Sequence, residues 1–305
     1  MGKNKIEIDV EGRKIALSNL DKIFYPEVGF SKAQVIDYYI RIAPVLLPHI
    51  QNRPLTLKRY PDGVEGLHFY EKQCPAHRPK WVKTTRTPRE NKTESIDYCV
   101  VDSLSALVWV ANLADLELHP FLHCISDQNC PTMVVFDLDP GPPANVVSCC
   151  RVALWLREML EDLKLQALVK LSGSKGLQIY IPLNTPTSYE QTSEFSHEIA
   201  HLIAQAHPGD VTDQMPKNLR TGKVFIDWSQ NNSHKTTVCV YSLRAKNEPT
   251  VSTPIEWKEV ELAWKHKRML SFNSEEALKR VENRGDLFEP ALNLRQKLPK
   301  KKPRF

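Results

Sequence analysis

The feature that most restricts how this chain can fold is an apolar run ending in two carboxylates, Met133-Val134-Val135-Phe136-Asp137-Leu138-Asp139-Pro140. The run predicts a β-strand, in which alternate side chains share a face, so Asp137 and Asp139 point the same way and Leu138 faces the core. Two carboxylates on one face repel unless a cation lies between them, and hard oxygen ligands favour magnesium or manganese. Pro140 ends the strand and sets the pair at its carboxyl end, where open sheets place ligands. The same pattern also occurs where a strand simply ends in polar residues before a turn, which is the alternative interpretation of the two aspartates.

The composition predicts a globular protein with a large core, because 41% of its 305 residues are hydrophobic. No apolar run is long enough to cross a bilayer, and the lysine-rich start lacks the apolar stretch of a signal peptide, so we expect a cytoplasmic, nucleoid-associated protein with no membrane contact. The seven cysteines include no CxxC pair and are expected to be reduced thiols. The net charge of +5 is concentrated between Arg53 and Arg89 and in the tail from Lys297 to Arg304. Basic patches of this kind can bind a polyanion, although charged segments are also commonly just solvent-exposed faces.

The order of predicted elements indicates an α/β (α+β) layered fold, since strands and helices alternate through the second half. Ser31 is a predicted N-cap, Asp102 or Ser103 is another, and Asn145 can start the helix that reaches about Leu163. Helices are predicted at 33–42, 104–113, 145–163 and 189–206. Strands are predicted at 55–60, 67–71, 96–101, 133–139, 168–171, 177–181 and 224–227.

One candidate for the chemistry is the helical segment His197-Glu198-Ile199-Ala200-His201, with His207 six residues on. Two histidines one turn apart suit a zinc protease, with Glu198 as general base and His207 as third ligand. That protease motif turns back at a glycine, where this chain has Ala204, a strong helix former. A helix continuing through Ala204 would leave His207 about 80° away from His197. The zinc protease therefore remains an alternative, beside a solvated helix face with chance histidines.

A second candidate combines the aspartate pair with two further features. The loop Ser172-Gly173-Ser174-Lys175-Gly176 joins two predicted strands, and its backbone N–H groups and lysine can hold an anion. It is not a Walker A motif, because a strand follows it. Read alone, it is a tight glycine turn with an exposed lysine. Asp227 ends another apolar strand, and three carboxylates beside a phosphate-binding loop predict a two-metal phosphoryl-transfer site.

The chain resembles the archaeo-eukaryotic primase superfamily, whose three motifs match Asp137-Leu138-Asp139, Ser172-Gly173-Ser174-Lys175-Gly176-Leu177 and Ile226-Asp227. The resemblance is strongest to the polymerase domain of bacterial ligase D and its stand-alone archaeal relatives, the enzymes of non-homologous end joining. It covers nearly the whole chain. Further segments similar to this family are Leu20-Asp21-Lys22, Arg53-Pro54, Lys58-Arg59-Tyr60-Pro61-Asp62-Gly63, Glu117-Leu118-His119, Asp227-Trp228-Ser229-Gln230-Asn231, Tyr241-Ser242-Leu243-Arg244-Ala245 and Val251-Ser252-Thr253-Pro254.

The resemblance implies a template-directed DNA/RNA nucleotidyltransferase that fills short gaps at double-strand breaks. Its expected cofactors are two Mn²⁺ or Mg²⁺ ions, with manganese serving better, and its substrates are NTPs, with ribonucleotides favoured. Expected partners are DNA with gaps or 3′-protruding ends and a 5′-phosphate, Ku, and a DNA ligase. The implied fold is a primase-polymerase-like core of mixed β-sheets flanked by helices, forming one catalytic domain over 1–305. Within it we expect a DNA-end-contacting part (1–52), a catalytic core (53–250) and a helical part with a basic tail (251–305).

The resemblance also implies a role for individual residues. Asp137 and Asp139 would hold both metals, and Asp227 the catalytic one. The implied nucleotide-binding residues are His119, Ser172, Lys175, Arg220, Gln230 and Arg244, with His119 and Gln230 near the incoming nucleotide. The implied DNA-binding residues are Asn19, Lys22, Lys32, Lys58, Phe69 and Tyr70. Phe69 and Tyr70 would stack on the template, although a half-buried strand explains them too. Lys22 and Lys32 would receive the 5′-phosphate, and backbone N–H groups in the first helical turn after Ser31 would also favour that anion. Both lysines are otherwise explained as exposed lysines.

The chain departs from the family pattern at Gln178, where the second motif usually has histidine. Glutamine keeps a hydrogen-bond donor but carries no charge, so activity is expected to be weaker or differently pH-dependent. The three carboxylates are present, and we expect an active enzyme. A DNA-end-binding module that has lost activity is the alternative from a non-enzyme class.

Overall fold

The structure, a computed structural model, describes residues 5–89 and 93–299, and in it the chain forms two units assembled from distant segments. Unit 1 comprises Met1–Phe121, Thr236–Ser252 and Phe272–Gly285, and unit 2 comprises Leu122–Lys235, Thr253–Ser271 and Asp286–Phe305. The predicted single domain and its three consecutive parts stay a prediction. The end of the predicted basic tail, 300–305, lies outside the described residues.

Seven α-helices occur in the described ranges. They are α1 (Lys32–Ile50), α2 (Leu104–Asn112), α3 (Val146–Asp162), α4 (Tyr189–Ala206), α5 (Trp257–His266), α6 (Ser274–Arg284) and α7 (Pro290–Asn293). Ser31 caps α1 with a capping box, and Ser103, one of the two predicted candidates, caps α2. Helix α1 runs eight residues beyond the segment predicted as helical, through Pro44 and Pro48. Its buried residues continue to Ile50, and the helix packs on α2, so tertiary burial carries it past the prolines.

The described residues of unit 1 contain the first nine strands. They are β1 (Lys5–Val10), β2 (Arg13–Ser18), β3 (Ile23–Tyr25), β4 (Phe30–Ser31), β5 (Leu55–Arg59), β6 (Phe69–Glu71), β7 (Lys83–Pro88), β8 (Ser95–Val100) and β9 (Asp115–Pro120). A five-stranded antiparallel sheet has the order β6-β5-β8-β7, with β9 paired to β5. The segments β1–β2 and β3–β4 are two-stranded. The sheet therefore places β5, β6 and β9 side by side, which brings Lys58, Tyr70 and Glu117 into one register row.

Unit 2 contains the other eight strands. They are β10 (His123–Cys124), β11 (Asp127–Pro131), β12 (Met133–Pro140), β13 (Leu168–Leu171), β14 (Leu177–Pro182), β15 (Val211–Thr212), β16 (Val224–Asp227) and β17 (Pro254–Ile255). Six of them form a mixed sheet in the order β15-β16-β12-β14-β13-β17, in which β15–β16 is the parallel pair. Helix α3 packs against β12, β14 and β16, and against α5. Mixed sheets flanked by helices confirm the predicted fold class.

The cysteine prediction was wrong at one pair. Cys74 and Cys99 form a disulfide across 25 residues, with their Cα atoms 4.9 Å apart, and the other five cysteines are free. The Cys74 N–H donates to the carbonyl of Asp97, which holds the segment after β6 against β8. This contact is long-range and follows no spacing motif, so the sequence alone did not indicate it.

Candidate active site

A row of polar side chains crosses four neighbouring strands of the unit 2 sheet. Asp137 on β12 pairs in register with Asp227 on β16 and with Gln178 on β14, and Gln178 pairs with Lys170 on β13. Directly paired residues of adjacent strands point to the same face. The row Asp227–Asp137–Gln178–Lys170 therefore lies on one face of the sheet, and its two carboxylates are cross-strand neighbours.

Asp139 joins the same face two residues along β12, beside Arg220. Its register partner is Phe225, and the Arg220 guanidinium lies 3.7 Å from the Phe225 ring centroid. One guanidinium nitrogen is 4.0 Å from the Asp139 carboxylate. Gly141 permits this approach, because a Cβ there would come within 1.9 Å of the Arg220 carbonyl oxygen. The predicted aspartate pair and a predicted nucleotide-binding arginine are thus neighbours.

The electrostatics of the site favour a bound cation. Burial, then the charges of Asp139 and Asp227, raise the pKa of Asp137 to about 7. A hydrogen bond from Gln178 and the charge of Lys170 act in the opposite direction. At neutral pH the carboxyl group is thus partly protonated, and a divalent ion bound beside it would favour the ionised form.

The donor set fits magnesium or manganese, because all three side chains offer hard carboxylate oxygens. As the side chains stand, no three Asp, Glu, His or Cys groups in the described ranges are gathered tightly enough to hold an ion. Asp227 is turned toward its own turn, where it accepts from the Ser229 N–H at 3.0 Å and from Gln230 Nε2 at 3.0 Å. Asp137, Asp139 and Asp227 are the carboxylates on this face that could hold a hard cation.

The loop after β13 lies directly against the strand that carries the aspartates. A Cβ on Gly176 would come within 1.9 Å of the Leu138 carbonyl oxygen, so only glycine allows this approach. The Ser172 hydroxyl accepts the N–H groups of Ser174 and Gly176, which are therefore not directed outward as the sequence prediction required. Lys175 is exposed at the tip of the loop. The exposed side chain of Lys175 is therefore the feature of this loop that an anion in solvent could reach.

Asn231 fixes the turn that carries Asp227 and Gln230. Its amide donates to the Val135 carbonyl at 2.7 Å and accepts from the Val135 N–H at 2.8 Å, taking the place of a strand neighbour where β16 has ended. The side chain is fully buried. This anchor keeps the Asp227 turn fixed to β12.

In unit 1, the buried carboxylate of Glu117 gathers several predicted site residues. His119 Nε2 lies 3.1 Å from it, Arg244 Nε 3.3 Å and Lys58 Nζ 3.3 Å. The Tyr60 hydroxyl donates to it at 3.2 Å. Burial alone would raise the pKa of Glu117, but the His119 hydrogen bond and the three basic groups hold it well below its usual range. Burial lowers the pKa of His119.

Phe69 and Tyr70 lie on the edge strand β6, with 44% and 56% of their surfaces exposed. Arg59 lies over the Phe69 ring and Lys58 over the Tyr70 ring, each 5.4 Å from the centroid. Exposed aromatic rings backed by cations suit stacking on nucleobases.

A pocket of about 230 Å³ in unit 1 contains three of the predicted DNA-binding residues, Asn19, Lys22 and Lys32, together with Arg59. Lys32 is buried, and its Nζ donates to the Ser18 carbonyl and to Asn112 Oδ1. Burial and the charges of Lys22 and Arg59 lower its pKa to about 8. The explanation by exposed lysines is therefore wrong for Lys32.

The first amides of α1 do not face this pocket. The Lys32 N–H donates to the Lys22 carbonyl and the Ala33 N–H to the Leu20 carbonyl, so the expectation that free helix amides attract an anion here was wrong. Lys22 Nζ contacts the Pro61 carbonyl and Asp62, each at 2.6 Å. The positive character of the pocket comes from its side chains.

The histidines of α4 do not converge. His197 stacks on Trp228 with centroids 3.8 Å apart, His201 bonds Asp213 at 2.9 Å, and His207 stacks on Trp155 at 3.5 Å. The helix ends at Ala206, so His207 does leave it, but toward another partner. Three histidines in three separate contacts do not form the zinc site of a protease.

Sequence reasoning missed three residues that these sites depend on: Lys170, Glu117 and Arg59. Lys170 lies in a short apolar strand, and its neighbour Gln178 is eight residues away. The acidic Glu117 was noted only as part of a family segment, and Arg59 likewise. A charged residue inside an apolar strand was the available signal for Lys170.

A family model described as "LigD, primase-polymerase domain" matches residues 31–288. The multifunctional non-homologous end joining protein LigD of Mycolicibacterium smegmatis is 42% identical over 279 residues, 91% of this chain and 36% of that protein. The corresponding DNA repair protein of Mycobacterium tuberculosis is 38% identical over 285 residues, 91% of this chain and 37% of that protein. The chain thus spans little more than a third of the length of these relatives.

The polymerase domain from Mycobacterium tuberculosis ligase D, solved in complex with DNA, matches with a TM-score of 0.85 and 35% identity. The match covers 92% of this chain and 99% of that one. The likeness therefore extends through the fold as well as the sequence. The chain belongs to the LigD primase-polymerase domain family and is a nucleotidyltransferase.

Proposed function

We propose that this enzyme extends DNA 3′ ends across short gaps at double-strand breaks, copying a template during non-homologous end joining. The observation that carries the proposal is the set of three carboxylates on paired strands β12 and β16, beside the loop after β13. The relatives named for non-homologous end joining, and a matching domain solved with DNA, support the substrate and the pathway. Ku and a DNA ligase are the proposed partners.

In this proposal Asp137 and Asp139 would hold both of two Mn²⁺ or Mg²⁺ ions, and Asp227 would also hold the catalytic one of the two. When bound, the ions would activate the attacking 3′ oxygen and offset the charge of the triphosphate. Gln178 keeps the Asp137 carboxylate oriented through its hydrogen bond. Ser229 and Gln230 orient the Asp227 carboxylate through hydrogen bonds of 3.0 Å each.

The chain offers cations for the triphosphate. Arg220, stacked on Phe225, is held at a fixed distance from Asp139, and the exposed Lys175 reaches out from the loop that Ser172 shapes. For unit 1 we propose His119 and Arg244 as nucleotide contacts, because Glu117 fixes both side chains. Preferences for ribonucleotides and for manganese follow from the family resemblance.

The cationic pocket of unit 1 is the proposed receptor for the 5′-phosphate at the far side of a gap. Lys22, Lys32 and Arg59 line it, and Lys32, whose pKa is lowered first by burial and then by the charges of Lys22 and Arg59, would be favoured in its charged form by a bound anion. A terminal phosphate brings nearly two negative charges and three acceptor oxygens. Phe69 and Tyr70, with Lys58 and Arg59 behind them, are the proposed stacking platform for the template.

Lys22→Ala combined with Lys32→Ala should remove most of the preference for 5′-phosphorylated gaps. Charge-assisted hydrogen bonds contribute about 1.5–3 kcal/mol each, so the preference should fall at least ~10-fold. The measurement is a binding titration at fixed salt on gapped DNA with and without the phosphate. Lys14→Ala combined with Lys83→Ala, which removes two exposed lysines of unit 1, is the matched control. A double pocket variant that still discriminates like the parent would place the phosphate elsewhere.

The phosphate preference should also depend on pH. The pKa of Lys32 is lowered from 10.5 to about 8, so the free pocket increasingly loses this positive charge as pH rises through 8. The affinity gained from a 5′-phosphate should therefore decline between pH 7 and about pH 9.5, with some delay because bound phosphate raises the pKa again. Lys32→Arg should keep its preference across this range. An unchanged preference in the parent over the range would contradict the assignment of Lys32.

The function itself is tested by extending a primer on gapped duplexes of several gap lengths, with Mn²⁺ or Mg²⁺ and with ribo- or deoxyribonucleotides. We expect templated addition that stops near the 5′-phosphate, faster with Mn²⁺ and with ribonucleotides. Absence of nucleotide addition to single strands that have no gap would agree with the proposal. Binding of gapped DNA without extension under every condition would identify an inactive end-binding module instead.

A further inference from the structure

A fully buried cation, Lys170, lies at the inner end of the polar row and has no part in the proposed chemistry. It is 0% exposed, on the short strand β13. A buried ammonium is costly unless it is well hydrogen-bonded, so its position needs a reason. Its Nζ donates to Gln178 Oε1 at 2.6 Å, the register partner on β14.

Gln178 is held in one orientation by this contact. Its amide oxygen accepts from Lys170 and also from the Tyr180 hydroxyl at 3.2 Å. With the oxygen directed to two donors, the amide nitrogen faces the other way along the row, where Asp137 accepts its hydrogen bond. If the amide were flipped, its oxygen would face the Asp137 carboxylate, and two acceptor groups would repel each other. The buried ammonium and the hydroxyl both oppose that flip.

We propose that Lys170 is a positioning residue that acts through Gln178 on Asp137, fixing the carboxylate oxygen that faces the metal site. The inference rests on the proposed function of Asp137 as a metal ligand. It assigns Gln178 to the carboxylate rather than to the substrate phosphate. The histidine usual at this position in the family is replaced by a neutral amide with a positive charge behind it.

Groups that hydrogen-bond a metal ligand typically contribute 10–100-fold to metal affinity or activity. We therefore expect replacement of Lys170 to weaken metal binding, although the Gln178 side chain lies between its ammonium group and the Asp137 carboxylate. If Lys170 and Gln178 only stabilise the fold, a variant that restores stability should bind metal like the parent. Replacing both residues together therefore distinguishes a positioning role from a purely structural one.

The test uses metal-free protein titrated with Mn²⁺ alone, with free Mn²⁺ followed by electron paramagnetic resonance, beside thermal unfolding of the same samples. The variants are Lys170→Met, Gln178→Leu, the two combined, Asp137→Asn, and Tyr189→Phe as control. Tyr189→Phe removes a buried hydrogen bond to His123 elsewhere in unit 2. It reports whether a loss of stability alone alters Mn²⁺ binding.

Gln178→Leu should lower the melting temperature, since Lys170 loses its 2.6 Å acceptor. The combined variant should regain most of that loss, because apolar side chains of similar shape replace both partners. Its Mn²⁺ affinity should nevertheless stay ~10-fold weaker than that of the parent. The Mn²⁺ affinity of Lys170→Met should lie between that of the combined variant and that of the parent. Tyr189→Phe should bind Mn²⁺ like the parent.

Steady-state kinetics add a second readout. The combined variant should lower kcat while KM for the nucleotide stays within about twofold, because the row touches a metal ligand and not the phosphate. A raised KM with unchanged kcat would assign Gln178 to the phosphate and overturn the inference. Parent-like Mn²⁺ affinity in the combined variant would also overturn it. Parent-like Mn²⁺ affinity in Asp137→Asn would instead refute the proposed metal site itself, and the inference with it.

Discussion

Asp137→Asn should abolish nucleotide addition, with a loss of about 10³-fold or more, while leaving the fold intact. A metal ion contributes several kcal/mol to transition-state stabilisation, and each 1.4 kcal/mol corresponds to tenfold in rate. Asp137 is the central carboxylate of the row, in register with Asp227 and two residues from Asp139. Asparagine keeps the shape of the side chain but removes the negative charge that the proposed metal site requires. The measurement is single-turnover primer extension with Mn²⁺.

The same variant should be more stable than the parent when metal is absent, and the difference should depend on pH. The folded-state pKa of Asp137 is raised from 3.8 to about 7, so ionisation of this group costs folding free energy as pH rises from 4 to 7. The neutral asparagine avoids this cost. The melting temperatures should thus be similar near pH 4 and diverge in favour of Asp137→Asn by pH 8.

Glu158→Gln, which neutralises an exposed carboxylate on α3, is the control for a general charge effect. It should show neither the loss of extension nor the pH-dependent gain. Excess Mn²⁺ should raise the melting temperature of the parent above that of Asp137→Asn, because ligand binding stabilises the form that binds it. Robust extension by Asp137→Asn would remove this residue from the site.

Gly176→Ala should be the second severe variant, because it acts on the strand of the aspartates. The added methyl would lie 1.9 Å from the Leu138 carbonyl oxygen and 3.3 Å from Pro140 Cδ, so β12 or the loop must move. Overpacking of this kind costs about 1–3 kcal/mol, and displacement of the backbone between two proposed metal ligands should add a loss of activity of at least ~100-fold. Thermal unfolding and primer extension measure the two effects.

Gly209→Ala is the matched control in the same unit, since a Cβ there meets nothing within 4 Å. It should retain parent-like activity, and its stability should change little. If Gly176→Ala were as active and as stable as Gly209→Ala, the close packing of the loop on β12 would not be needed for the site.

The sequence was sufficient where short-range rules decide the structure. Alternation along a strand put Asp137 and Asp139 on one face, and hydrogen-bonding side chains at Ser31 and Asn145 marked where α1 and α3 begin. It also suggested a ligand at the carboxyl end of an open sheet. The neighbours of β12 are antiparallel, so the three carboxylates lie on a face of the sheet and not in a crevice between parallel strand ends.

The sequence was insufficient where strand register and burial determine which side chains come into contact. Lys170 meets Gln178 only because β13 and β14 pair in that register, and a slip of one residue would reverse its face. Glu117 meets Lys58 and Arg244 across 59 and 127 residues, and these contacts exist only after the strands have assembled. Lys32 was expected to be helped by helix amides, which instead bond the chain at Leu20 and Lys22.

Primer extension opposite each of the four template bases tests the central claim most directly, using a 5′-phosphorylated gap, Mn²⁺, and the parent beside Asp139→Asn and Asp227→Asn. We predict that the parent adds the complementary nucleotide at each base, that chelation of the metal stops it, and that neither variant adds any. Addition that ignores the template, or parent-like extension by either variant, would contradict a templated reaction at these carboxylates.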